Sequence, residues 1–161
     1  MVRVREAVGE ADHRVTRELF LEYAASLGFD LCFQDFESEL ASLPGAYAPP
    51  GGCILLAEIG DTVCGCVAIR CFSDSVCEMK RLYVRPGSRG VGVGRSLAVA
   101  VIAKARARGY VQMRLDTLAA MVEATRLYES LGFREIEAYR HNPVEGARFF
   151  ELDLRAGGPA G

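Results

Sequence analysis

The chain has 161 residues, half of them apolar and a quarter charged, with a formal net charge of -2. That length accommodates one domain with a substantial core, and the near-neutral balance offers no global attraction to nucleic acid or anionic membranes. The first ten residues lack the basic-then-apolar layout of a secretory signal, and the longest apolar stretch, residues 97–103, is far too short to span a bilayer. The composition therefore predicts a soluble, cytoplasmic protein that binds neither nucleic acid nor membrane.

Six cysteines (Cys32, Cys53, Cys64, Cys66, Cys71, Cys77) include no Cys-x-x-Cys pair and are accompanied by only two histidines, so no metal site is expected and the thiols read as reduced core residues. Strand alternation places Cys64 and Cys66 on one face, and Cys71 opposite Cys77 across a hairpin.

In chain order, Val2 and Val4 alternate with Arg3 and Arg5 as a first strand, and residues 11–27 carry apolar positions at helical spacing up to Gly28. Phe33, Phe36, Leu40 and Leu43 predict a second helix ended by Pro44 and Gly45. Residues 53–58, 63–72 and 76–84 then form an antiparallel meander turned at Gly60-Asp61 and Ser73-Asp74-Ser75. A third helix follows from Leu97, Ala98, Val101, Ile102 and Ala105, with Gly109 as its stop. A strand over residues 110–117, a helix over 119–131 closed by Gly132, and two strands over 133–139 and 147–154 complete a single domain of residues 1–154. Residues 155–161 read as a disordered tail.

The segment Arg89, Gly90, Val91, Gly92, Val93, Gly94, Arg95, Ser96 follows a strand and opens a helix. Unpaired N–H groups and the positive helix end converge there, glycine removes the Cβ that would hold phosphate away, and two arginines add charge, so the local chemistry predicts an anion site. A plain glycine-rich turn is the alternative. The Walker pattern needs lysine where Arg95 stands, and the Rossmann pattern needs glycine at that same position, although Asp116 lies about where a ribose-binding acid would fall.

Three ordered segments, Glu78-Met-Lys-Arg-Leu-Tyr-Val84, Arg89-Gly-Val-Gly-Val-Gly94 and Ala124-Thr-Arg-Leu-Tyr128-Glu-Ser-Leu-Gly-Phe133, resemble the GCN5-related N-acetyltransferase (GNAT) superfamily. The resemblance covers nearly the whole chain and is most specific between Glu78 and Phe133. It implies an α/β (α+β) fold with a mixed, mostly antiparallel sheet flanked by helices and splayed near Val84. Acetyl-CoA would lie in the splay, with its pyrophosphate on the loop of Arg89 to Ser96. Leu82, Tyr83 and Val84 would offer backbone groups to the pantetheine arm and acetyl carbonyl. Transfer would be by direct attack of an amine in a ternary complex, with no metal. The resemblance further implies Tyr128 as the acid that protonates the departing thiolate. It also implies Glu78 as the base, directly or through water, where the residue's bland reading is a solvated carboxylate paired with Lys80 or Arg81. Alternation puts Glu78, Lys80, Leu82 and Val84 on one face unless a bulge intervenes. Met121 stands where many members carry a cofactor-contacting asparagine.

The acceptor, a small-molecule or protein amine, would be walled by Phe33, Phe36, Tyr47, His141 and Asn142, with His141 an alternative base. A homodimer is expected, as is common in that family. A non-catalytic CoA sensor and a dinucleotide-binding oxidoreductase are the competing readings.

Overall fold

The computed structural model describes residues 1–28 and 35–156. Its strands are β1 (Val2–Glu6), β2 (Cys53–Ile59), β3 (Thr62–Ser73), β4 (Val76–Val84), β5 (Gln112–Leu118), β6 (Arg134–Ile136) and β7 (Ala147–Asp153). Its helices are α1 (Gly9–Leu27), α2 (Phe36–Ala41), α3 (Val93–Ala107) and α4 (Val122–Ser130). The strands form one sheet in the order β1-β2-β3-β4-β5-β7-β6, antiparallel at every junction except the parallel β4–β5 pair. This is the mixed, mostly antiparallel sheet that the sequence predicts.

Each face of the sheet has its own core because alternate residues along β2, β3 and β4 point opposite ways. Leu55, Ile69, Cys77, Met79, Met113 and Leu115 pack with Leu97, Val101 and Ile102 of α3 and with Tyr128 near α4's end. On the other face Ile54, Leu56, Cys66 and Ala68 pack with Leu19 and Phe20 of α1 and Phe36 of α2.

Three register shifts alter the simple alternation, one between β2 and β3 and two between β3 and β4. In β3 the register shifts opposite Ala57/Glu58, so Cys64 joins the α3-side core while Cys66 joins the α1-side core. The expectation that these two cysteines share a face is thereby corrected: one extra residue reverses every side chain beyond it. Cys71 does oppose Cys77, but it is exposed and so is no core thiol; Cys32 lies outside the described residues.

Element ends differ from the sequence reading where a backbone device, not apolar spacing, sets them. Helix α3 starts at Val93, four residues before its first expected apolar position, because Gly92 takes left-handed φ 87° and caps it. Helix α2 is only six residues long and Leu43 lies beyond it, while Phe33 lies outside the described residues. Strand β6 stops at Ile136, since it pairs only with Phe149 to Glu151 of β7 at the sheet edge. The chain then turns back across the sheet, carrying Tyr139, Arg140 and Asn142 with it.

Gly65 shows how closely α3 seats on the sheet: a Cβ there would lie 2.8 Å from the Tyr83 carbonyl oxygen and 3.1 Å from Leu97 Cδ1. Since the first neighbour is backbone, Gly65→Ala should destabilise the fold by about 1–3 kcal/mol, seen as a lowered urea midpoint with an unchanged m-value.

Candidate functional site

The site begins where β4 leaves β5. Their parallel pairing covers only Val76, Cys77 and Glu78 against Gln112, Met113 and Arg114, and the remainder of β4 has no partner strand on that side. At the same point β4 carries its own bulge: Lys80 pairs with Ala68 and Tyr83 with Cys66, leaving Arg81 and Leu82 opposite Val67 alone. Arg81 sits in the left-handed region at φ 62°, a conformation that costs a non-glycine residue about 1–2 kcal/mol. It is held there by hydrogen bonds of 2.9 and 3.0 Å to the Glu39 carboxylate and by the rings of Tyr23 and Phe36. The bulge sends Glu78 and Lys80 to the α1/α2 side and Leu82 and Val84 to the α3 side, so these four do not share a face.

The gap is a cleft of about 590 Å³ lined by Tyr23, Leu82, Tyr83, Val84, Arg89, Gly90, Gly94, Met121 and Leu127 among others. Six of the expected cofactor residues therefore line it: Leu82, Tyr83, Val84, Arg89, Gly90 and Gly94. Gly90 and Gly92 both take left-handed φ, 85° and 87°, and open space lies where either Cβ would be. The first turn of α3 carries no acidic residue, so its unpaired N–H groups keep their positive end toward the cleft mouth. Val91 is exposed, Val93 is buried in the core, and the Ser96 N–H bonds the Gly92 carbonyl. The two arginines are partly committed. Arg89 Nε donates to the Val84 carbonyl at 2.8 Å, and Arg95 Nη1 to Ser130 Oγ at 3.1 Å.

At its inner end the cleft meets a chamber of about 50 Å³, walled by Lys80, Arg81 and Leu82 of β4, Asp116 and Thr117 of β5, and Tyr128 of α4. Tyr128 packs edge-on against Phe133, and its hydroxyl has no hydrogen-bond partner among the described residues. Burial pushes this phenol above its ordinary range, so it stays protonated at any physiological pH. Met121 caps the start of α4 and receives the Thr117 hydroxyl at its sulfur, 3.5 Å away. Burial pulls the Lys80 ammonium down to about 8.

Glu78 is neither solvated nor paired with Lys80 or Arg81 in an ion pair. It is fully buried, and three donors occupy its carboxylate: Arg70 Nε at 3.1 Å and Arg140 Nη2 at 2.9 Å on Oε1, and the Tyr139 hydroxyl at 2.7 Å on Oε2. Of the expected acceptor wall, Phe36 belongs to the core and to Arg81, and Tyr47 donates to Glu39. Asn142 donates to Asp116 at 3.0 Å, and His141 is exposed.

The sequence reading did not single out Tyr23, Arg70, Tyr139 or Arg140. Arg70 meets Glu78 through the β3–β4 register, and the other three arrive from elements distant in sequence, so periodicity carried no signal for them.

Comparison with known proteins agrees with this geometry. The family model of the acetyltransferase (GNAT) domain matches residues 50–135. An uncharacterized N-acetyltransferase of Schizosaccharomyces pombe is 43% identical over 138 residues, covering 84% of this chain and 85% of that protein. Human N-acetylaspartate synthetase is 37% identical over 99 residues, which are 61% of this chain and 33% of the synthetase. A Salmonella typhimurium acetyltransferase structure, solved with acetyl-CoA, superposes with a TM-score of 0.67 at 21% identity, covering 95% of this chain and 94% of that one. A parted β4–β5 junction, a glycine-capped helix at its mouth and a family match over more than half the sequence lead to one assignment: the chain belongs to the GNAT family and is an acyl-CoA-dependent N-acetyltransferase.

Proposed function

We propose that acetyl-CoA lies in the cleft between β4 and β5 and gives its acetyl group directly to an amine. The observation that carries this reading is that the cleft beside the α3 N-terminus and the chamber under Tyr128 share Tyr23, Leu82, Met121 and Ala124 as walls. The pyrophosphate would rest on the backbone of Arg89, Gly90, Val91, Gly92, Val93, Gly94, Arg95 and Ser96, with Arg89 adding charge. The unpartnered edge of Leu82, Tyr83 and Val84 would accompany the extended pantetheine as a strand accompanies a strand. One N–H of that edge would polarise the thioester carbonyl.

In the transfer, the amine nitrogen bonds to the thioester carbon, the carbon–sulfur bond breaks, and the thiolate takes the hydroxyl proton of Tyr128, which solvent then replaces. The amine's own proton leaves toward the Glu78 side. Because three donors already hold Glu78, we assign this residue to positioning Arg70, Arg140 and Tyr139, with ordered water carrying the proton. We also retain the expectation of a cytoplasmic homodimer that binds neither nucleic acid nor membrane. The low net charge supports this, and the sheet ends at β1 and β6 offer edges for self-pairing.

A thermal-shift titration with acetyl-CoA, CoA and NAD tests the cofactor: the CoA forms should raise Tm, and a rise with NAD alone overturns the reading. Gly92→Val, placing a β-branched residue at φ 87°, should weaken acetyl-CoA by roughly tenfold or more while the unliganded protein still folds. Unchanged affinity would remove the loop from the site. Tyr128→Phe should lower kcat by about 100-fold and keep the acetyl-CoA shift, as read by thiol release. For Glu78→Gln the positioning role requires a lower Tm and no recovery of rate at alkaline pH. A variant with native Tm whose rate recovers as pH rises would instead make Glu78 the base.

A further inference from the structure

We infer that the acceptor is an amine that also carries a carboxylate, and that Arg70 and Arg140 bind that carboxylate beside the chamber. The inference rests on the acetyltransferase reading above and adds the substrate class.

Arginine and carboxylate ordinarily meet one to one, with the guanidinium fork on both oxygens. Here two guanidinium groups converge on a single oxygen, Glu78 Oε1. Each arginine has five N–H donors, and most of them on this pair find no acceptor among the described residues. Arg140 Nε is sealed from solvent with no hydrogen-bond partner among the described residues. The two side chains are 25% and 23% exposed, so part of each remains accessible from solvent.

Other carboxylates among the described residues are engaged elsewhere. Glu39 accepts from Arg81 and Tyr47, Glu151 from Arg114, and Asp116 from Asn142. Lys80 sits on the same face of β4 as Glu78 and reaches into the chamber. A purely cationic acceptor, such as a polyamine, would bring its ammonium toward Lys80, Arg70 and Arg140 together and meet like charge. An amino acid brings its own anion. Its carboxylate would satisfy the guanidinium edges above Glu78 while its amine points along β4 toward the thioester, so the same cluster that repels a bare cation selects this class.

The test uses the full chain with acetyl-CoA and reads thiol release for aspartate, glutamate and glycine, each beside its carboxamide counterpart, with spermidine as the cationic amine. Carboxylate-bearing amines should be preferred over their amides by at least about tenfold in kcat/KM. Arg140→Gln and Arg70→Gln should each raise KM for the preferred acid about tenfold and narrow the acid-over-amide ratio. Both variants should keep the acetyl-CoA thermal shift, which shows that they fold and load the cosubstrate, and Arg140→Lys should recover part of the preference. An acetyl-CoA shift combined with amides or spermidine accepted as well as the acids overturns this inference and leaves the acetyltransferase reading standing. Absence of the shift in the unaltered protein overturns both.

Discussion

The structure depends on the parting of β4 from β5 after Glu78. A strand released from its neighbour within a sheet exposes a row of backbone donors and acceptors that folding ordinarily satisfies. The cleft makes that edge accessible to an extended ligand. The bulge at Arg81 belongs to the same event: by adding one residue to β4 it turns Leu82 and Val84 toward α3 and leaves Lys80 facing α1 and α2. The strain of the left-handed Arg81 is offset locally by Glu39, an acidic residue contributed by the short helix α2.

Polar burial around the parting follows from the same geometry. Strand β5 goes on to pair with β7 while β4 does not, so the space over Glu78 is filled by the chain leaving β6. Tyr139 and Arg140 descend there, and Arg114 lies over the rings of Phe72 and Tyr139 while paired with Glu151. A buried carboxylate needs charge and hydrogen bonds to compensate its lost hydration, and Glu78 receives both from β3 and from the chain beyond β6. Its placement fixes the two arginines, while α4 fixes Tyr128 in the chamber wall.

Much of this was legible in the residues. The glycine loop before an apolar helix, the meander of three strands, and the Glu78 and Tyr128 contexts gave the fold, the cosubstrate and one wall of the chamber. The misreadings share a cause. Cys64 and Cys66 were placed on one face because strict alternation ignores a bulge, and a bulge depends on pairing between two strands. Apolar spacing registers only the buried stripe of α3 from Leu97, whereas Gly92 sets the helix start at Val93 through its φ. The alternative that pairs Glu78 with Lys80 or Arg81 looks along the strand, although in an antiparallel sheet the closest side chains belong to the next strand.

What the sequence determined by itself is local chemistry: where backbone must bend at glycine, which stripes are apolar enough to be buried, and which segment presents N–H groups to an anion. Tertiary structure alone decided which charges meet. Arg70, Tyr139 and Arg140 converge on Glu78 from β3 and from the chain beyond β6, at separations of 8, 61 and 62 residues. Such encounters are set by strand register and chain return, quantities that depend on contacts between distant segments and leave no periodic trace along the chain.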